Sequence, residues 1–223
     1  KGLQAPGTPG WTLNETTDLL LTVPVIYSAG DAGAPAVNIG EMYNEGIDFA
    51  MNYTESFGDL RVSLGGNIST YRNEIIALDE FDTPIFGSNR RVPALNITEV
   101  GSPISSLYGF EVEGIFQSQA EADAHAPYGS TGYNAPGKFK YADINNDGEI
   151  NDDDRTIIGN PHPDFTYGVN LSVTYKNLNL TLFGNGVQGN DVYNYVRYFA
   201  DFNTFQGNRS TRALREAWQP SNP

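Results

Sequence analysis

The sequence contains no cysteine, which excludes a disulfide framework, a thiolate nucleophile and any thiolate metal site. Positive charge is scarce: 13 Lys and Arg stand against 27 Asp and Glu, a formal charge of -14. A chain this acidic lacks the clustered cations that phosphate binding requires, so nucleic acid is excluded as a partner. The only histidines are His125 and His162, and neither has metal-site or triad spacing; His162, between Pro161 and Pro163, reads as a turn residue. No apolar run approaches the roughly 18 residues of a membrane helix, and the longest, Leu19 to Val23, is followed by Pro24. That absence leaves strand-built membrane proteins untouched. A β-barrel satisfies its backbone between strands and shows lipid only every second side chain, so its hydropathy stays low. An enzyme is not expected, because no pair of the many carboxylates sits in an apolar setting that would raise one pKa.

What the chain does have is Gly, Tyr and Phe in quantity, 24, 13 and 12 respectively, a turn-rich and aromatic composition that suits an all-β fold. The clearest stretch runs from Asp164 to Gly189. Phe165, Tyr167, Val169, Leu171, Val173 and Tyr175 alternate with Thr166, Gly168, Asn170, Ser172 and Thr174, the period of a strand with one apolar and one polar face. A tight turn at Lys176 and Asn177 leads into Leu178, Leu180 and Leu182, so an antiparallel hairpin is predicted; the alternation breaks at Phe183. Strict alternation from Phe165 to Tyr175 matches the about 9–11 tilted residues that cross a membrane and exceeds the usual soluble strand of about 5–6. Periodicity alone does not say whether the apolar face meets lipid or a second sheet.

Ile47, Phe49, Met51 and Tyr53 repeat the pattern, turn at Ser56 to Asp59, and return through Leu60, Val62, Leu64, Gly66 and Ile68, a second long hairpin. Residues 11–26 read as a strand of disturbed alternation, 27–40 and 73–88 as loops, and Leu107 to Phe116 as strand again. Ser118 to Glu121 has the capping-box pattern of a short helix that Pro127 would end. Residues 117–163 form a long connection, and connections of that length are usually functional or disordered. If both hairpin turns lie on one side of a membrane, an even number of strands must separate them. Strands at 60–71, 105–116 and 164–175 make three, so a fourth is expected near Asn89 to Thr98, with Gly101 to Pro103 as its turn on the hairpin-turn side.

Within the long connection, Asp143 to Asp154 fits the calcium-loop template. Asp143, Asn145 and Asp147 fall at its first, third and fifth positions, and Gly148 permits the sharp turn. The Glu149 carbonyl takes the seventh position, Asn151 the ninth through water, and Asp154 the twelfth, where a longer Glu is usual and where dockerin-type loops carry Asp. An all-oxygen set suits Ca2+ as a structural clamp and does not suit zinc. The metal-free alternative is an acidic loop held by Asx turns.

The segments Gly101–Gln117, Tyr141–Arg155, Ile158–Gly168 and Gly186–Asp191, with Asn38–Gly40, Asn44–Gly46 and Arg72–Ile75, occur in an order that resembles the C-terminal barrel portion of SusC/RagA-type TonB-dependent transporters of the Bacteroidota outer membrane. The resemblance implies an antiparallel transmembrane β-barrel segment, residues 1–223 forming part of a ~22-stranded barrel with long extracellular loops, of which 117–163 is one. Seven strands would be about a third of such a barrel. It implies import of an oligosaccharide or oligopeptide substrate, a SusD-like lipoprotein partner, a barrel wall in contact with outer-membrane lipid, and TonB coupling through an N-terminal region outside this chain. A missing initiator Met and signal peptide, and an end in the turn-like Trp218–Pro223, fit a fragment. Tyr193, Tyr195, Tyr198, Phe199, Phe202 and Phe205 read as girdle or loop-packing aromatics, and no substrate residue is assigned. The alternative from another class is a secreted or surface calcium-stabilised β-sandwich that binds glycans or a protein partner.

Overall fold

The computed structural model describes residues 3–4, 10–22, 36–79, 81–87, 94–129, 132–202, 207 and 209–220. In chain order the strands are β1 (Leu3–Gln4), β2 (Gly10–Thr22), β3 (Ala36–Phe57), β4 (Leu60–Ala77), β5 (Ile85–Phe86), β6 (Asn96–Thr98), β7 (Ser106–Phe110), β8 (Val112–Ile115), β9 (Phe139–Tyr141), β10 (Arg155–Gly159), β11 (Phe165–Tyr175) and β12 (Leu178–Gln188). Among the described residues the α-helices are α1 (Gln119–Ala124), α2 (Tyr195–Asp201) and α3 (Thr211–Glu216), all short. The chain divides into two units, one of Lys1–Ser106 with Gly159–Asp191, the other of Leu107–Ile158 with Val192–Pro223.

The first unit is built on an antiparallel sheet ordered β1, β3, β4, β11, β12, with β2 also paired to β3. Both expected hairpins are present, and their turns share one end of the sheet, where the Lys176 amide donates to the Asp59 carbonyl at 3.3 Å. Lys176 and Gly58 take the left-handed conformation that tight hairpin turns demand, at φ +51° and +62°. Disturbed alternation in β2 has a backbone counterpart, a register shift between Thr16 and Leu19.

Two expectations are corrected here. β4 pairs directly with β11 along Leu60 to Ser69, so no strand at 105–116 lies between them, and among the described residues the long strands of the sheet are β2, β3, β4, β11 and β12. With β4 and β11 alone between the turns the required even number is met, and the fourth strand is unnecessary. Of the stretch proposed for it, only Asn96–Thr98 is strand, paired with Ile85–Phe86; residues 88–93 lie outside the described ones. Gly101 to Pro103 packs at the opposite end of β4 from the hairpin turns, the Gly101 amide bonding the Ile75 carbonyl and the Ile75 amide the Ser102 carbonyl. The physical reason is local: strand β4 continues to Ala77 rather than ending in a loop at 73, and its end buries Asn73 and Ile75, with Leu78 buried just beyond it. Asn73 serves as a buried bracket, donating to Asn44 Oδ1 at 2.6 Å and accepting from the Ile104 amide at 2.8 Å.

The second unit packs a small core of its own around Phe116, Ala122 and Ile150. Burying a side chain such as Phe116 or Ile150 contributes about 1.5–3 kcal/mol. The Phe116 backbone is tied on both sides, its amide to the Lys138 carbonyl at 3.0 Å and its carbonyl to the Gly137 amide at 2.8 Å. α1 begins as the sequence predicts, with Ser118 Oγ accepting from the Glu121 amide; the Glu121 carboxylate reaches the Gln117 amide, one residue earlier than a strict capping box. β8 pairs with β9, not with the main sheet. α2 and α3 were not foreseen.

Candidate functional site

Register fixes what each face of the sheet carries. Phe49, Ile68, Tyr167 and Gly186 form one transverse row; Tyr53, Leu64, Leu171 and Leu182 another; Phe57, Leu60, Tyr175 and Leu178 a third at the turn end. Met51, Gly66, Val169 and Gly184 complete the middle. Directly opposed residues are cross-strand neighbours, so each row lies on one face of the sheet. On the reverse face the rows read Ala50, Asn67, Gly168, Asn185, then Asn52, Gly65, Asn170, Phe183, then Thr54, Ser63, Ser172, Thr181. One face is therefore apolar and the other polar and small, as the alternation requires.

Solvent exposure is inverted relative to a globular core. Phe49, Met51, Leu64, Ile68, Tyr167, Val169, Leu180 and Leu182, all on the apolar face, are exposed. The side chains from Leu60 to Thr70 span ten residue steps of β4, about 34 Å along the strand and about 24 Å in height at a 45° tilt, against the ~25 Å apolar band of a membrane barrel. Beyond that band the same face turns charged: Glu45 lies across from Arg72 and Tyr43 from Glu74, and Arg72 donates to Glu74 at 2.8 Å. Phe183, where the sequence alternation breaks, projects from the polar face opposite Asn170 and is 80% exposed. Among the described residues, no helix is long and apolar enough to cross a membrane.

The acidic loop is closed by its own backbone. Asp143 accepts from the amides of Asp147 and Gly148, Asn145 Oδ1 from the Asp147 amide, and Asp147 Oδ1 from the Glu149 amide, a ladder of Asx turns. Gly148 has φ +88°, the left-handed turn the sequence assigned to it. Asn151 caps a 3-10 turn at Asp152–Asp154 by accepting from the Asp153 amide. Asp154 is 0% exposed, and its two oxygens accept from the amides of Ile144 (2.9 Å), Asn145 (3.5 Å) and Asn151 (2.9 Å). Those amide bonds, Asn151 first, hold its carboxyl below its ordinary value.

Among the described residues no group of three His, Asp or Glu side chains is gathered in one place, and both oxygens of Asp154, at the closing position of the template, accept from backbone amides. Glu149 is exposed, while the neighbouring Ile150 is buried and bonds the Pro127 carbonyl and the Gly129 amide. The loop is held by its own hydrogen bonds.

His162 does more than turn the chain. Its Nε2 lies 2.9 Å from the Ile104 carbonyl and its Nδ1 3.3 Å from the Tyr71 hydroxyl, so the imidazole bridges the loop after Gly101 to β4. The aromatic group after Asp191 gathers on and before α2, where Tyr195 and Phe199 meet edge to face at 4.7 Å and Tyr198 and Phe199 at 5.3 Å. Phe205 lies outside the described residues. Burial, with Tyr198 and Tyr195 close by, raises the Tyr193 hydroxyl above its usual range.

Two curated sequences from Formosa agariphila are similar to nearly the whole of this chain. TonB-dependent receptor P3 is 32% identical over 93% of the chain and TonB-dependent receptor P26 is 30% identical over 94%. The chain is a relative of the TonB-dependent receptors. It spans 21% of the length of each of these two, and no family model matches it. Receptors of this family sit in outer membranes, and both names are those of receptors and not of enzymes. In fold the chain resembles the RagAB peptide transporter, at a TM-score of 0.71 and 24% identity over 94% of this chain and 22% of that one. The RagAB peptide importer in its closed-closed state gives a TM-score of 0.68 over 95% of the chain.

Proposed function

We propose that this chain forms part of the barrel wall of a TonB-dependent importer in a Bacteroidota-type outer membrane. The complete protein takes up oligosaccharides or oligopeptides together with a SusD-like lipoprotein, and meets TonB through a region outside this chain. One observation carries the reading: an apolar sheet face of membrane height is exposed, while the opposite face is polar and small. The β-sandwich alternative would need a second sheet laid over Phe49, Leu64, Tyr167 and Val169, and all four are exposed. The likeness in fold to a peptide importer supports transport, and the relatives named as receptors support TonB coupling.

The natural absence of cysteine makes a direct test possible. Single cysteines at Leu171, Val173 and Leu180, and at Ser172, Ser63 and Thr181, are introduced into the complete receptor, spin-labelled, and probed in outer membranes with oxygen and a water-soluble nickel chelate. Oxygen should dominate at the first three positions and nickel at the second three. Equal nickel access at both sets would overturn the reading.

The acidic loop is proposed to act as a metal-free clamp. A calcium ion would require Asp154 to give up the amides of Ile144 and Asn151, so titration with calcium is expected to leave the thermal midpoint unchanged.

A further inference from the structure

Strand β4 has a gap along one edge. While β3 follows the other edge to Ala77, β11 accompanies this one only as far as Ser69, and the next neighbour is the Gly101–Ser102 segment at Ile75. The two neighbours are six residue steps apart, about 20 Å of strand. A cavity of about 900 Å3 opens there, wholly within the first unit. One wall is the end of the apolar face, in three rows: Ile47 with Thr70, which closes the apolar band, then Glu45 with Arg72, then Tyr43 with Glu74. Pro103 and His162 stand on the other wall. That wall is fixed, because the His162 imidazole spans the Ile104 carbonyl and the Tyr71 hydroxyl.

The charges are held in place as well. Arg72 Nη2 donates to Glu74 Oε2 at 2.8 Å, and the Tyr43 hydroxyl donates to Glu45 Oε2 at 3.2 Å. Asp164 adds a third carboxylate to the lining. Carboxylates therefore outnumber the one guanidinium, immediately beyond an apolar face of membrane height. A phosphate by itself would gain Arg72 and meet like charges, and an ammonium by itself would gain the carboxylates and meet Arg72. A group that carries both charges a short distance apart satisfies the whole set.

We propose that this cavity seats the headgroup of a zwitterionic aminophospholipid, in which a phosphate is joined to a primary ammonium. The phosphate takes the Arg72 fork, whose planar N–H donors match its oxygens. The ammonium, with three N–H donors, takes Glu45 and Glu74. The acyl chains run from there over Phe49, Ile68 and Tyr167, which form the next row of the band and are exposed. Charge complementarity selects the headgroup, and continuity with the band selects a lipid over a soluble phosphate ester. The assignment rests on the barrel-wall reading, which places this face in lipid.

The complete receptor, stripped of lipid in detergent, is titrated with phosphatidylethanolamine, phosphatidylcholine and phosphatidylglycerol of one acyl composition, and bound lipid is counted by native mass spectrometry. The ethanolamine lipid should bind roughly fivefold or more tightly than the other two, since choline has no N–H to donate and glycerol no positive charge. Glu45→Gln with Glu74→Gln should abolish that preference, and Arg72→Gln should weaken the ethanolamine lipid by roughly fivefold or more. Thr181→Ala, on the opposite face, should change nothing. Soluble phosphoethanolamine should displace the lipid only at roughly a hundredfold excess or more, because it lacks the chains. Heat-modified mobility on gels reports that each variant folds. The proposal is overturned by equal affinity for the three lipids, by a preference that survives the substitutions within twofold, or by displacement at equal concentrations of the soluble headgroup. Failure of the barrel-wall reading shows separately, as loss of the oxygen and nickel alternation, whatever the lipid titrations return.

Discussion

The two units of this chain solve the problem of apolar side chains in opposite ways. In the second unit Phe116, Ala122 and Ile150 are withdrawn from solvent, and the backbone around them closes through bonds of Phe116 to Gly137 and Lys138 and of Ile150 to Pro127 and Gly129. In the sheet of the first, Phe49, Leu64, Ile68 and Val169 remain exposed, and order comes from strand pairing and contacts within each transverse row. The difference teaches that, in the proposed barrel wall, exposure is a property of the solvent the sheet is built for. A water-soluble domain would not leave a contiguous apolar surface of this size bare, whereas a barrel wall must, because lipid completes its packing.

That contrast can be broken at several points. Phe116→Ala should cost the most, about 3–5 kcal/mol, by opening a cavity in a core that water surrounds; chemical unfolding of the receptor should show the second unit melting early while the sheet persists. Leu64→Arg, in the middle of the apolar band, should cost about 2–4 kcal/mol in lipid. Ser172→Arg on the reverse face should stay within about 0.5 kcal/mol, as surface substitutions do. An equal penalty on both faces would remove the membrane argument altogether.

Asp154→Ala should cost about 1–3 kcal/mol, since it leaves the amides of Ile144 and Asn151 without the carboxylate that now satisfies them. Its pH behaviour sharpens the same point. The folded carboxyl titrates below its ordinary value of 3.8, so its contribution is complete above that value and is lost as pH falls through the lower, folded pKa. The protection of the Ile144 and Asn151 amides against hydrogen exchange, taken relative to the intrinsic rate at each pH, should therefore be steady through neutral and mildly acidic pH and fall only well below pH 4. Smallest of all is the effect of calcium or a chelator on the thermal midpoint, expected to be nil. A rise of several degrees with calcium would show that Asp154 turns away from its amides to become a ligand.

Legibility in the sequence followed the range of the interactions. Both long hairpins could be read because alternation is a local pattern, and Phe165 to Tyr175 and Leu178 to Leu182 appear with the turn where expected. The capping of α1 by Ser118 was legible for the same reason. The partner of β4 was not, since choosing β11 over the segment at 105–116 depends on pairing across a long excursion that builds its own core. The cavity beyond the apolar band was likewise hidden: Glu45 and Arg72 each follow the alternation of their own strands, yet nothing local sets them opposite one another or brings His162 to Tyr71. The acidic loop was half legible. Its turns and the Gly148 conformation follow from residue type, but the direction of the Asp154 carboxylate depends on which amides lie near it once the loop closes.

By itself, then, the amino-acid order determined that these strands have one apolar and one polar side, because side chains on an extended backbone must alternate. It also determined that this chain brings no thiol chemistry, because it holds no cysteine. Only the tertiary structure decided which strands are neighbours, that the apolar side stays uncovered, and that Asp154 faces backbone amides, because each of these depends on contacts between residues far apart in the chain.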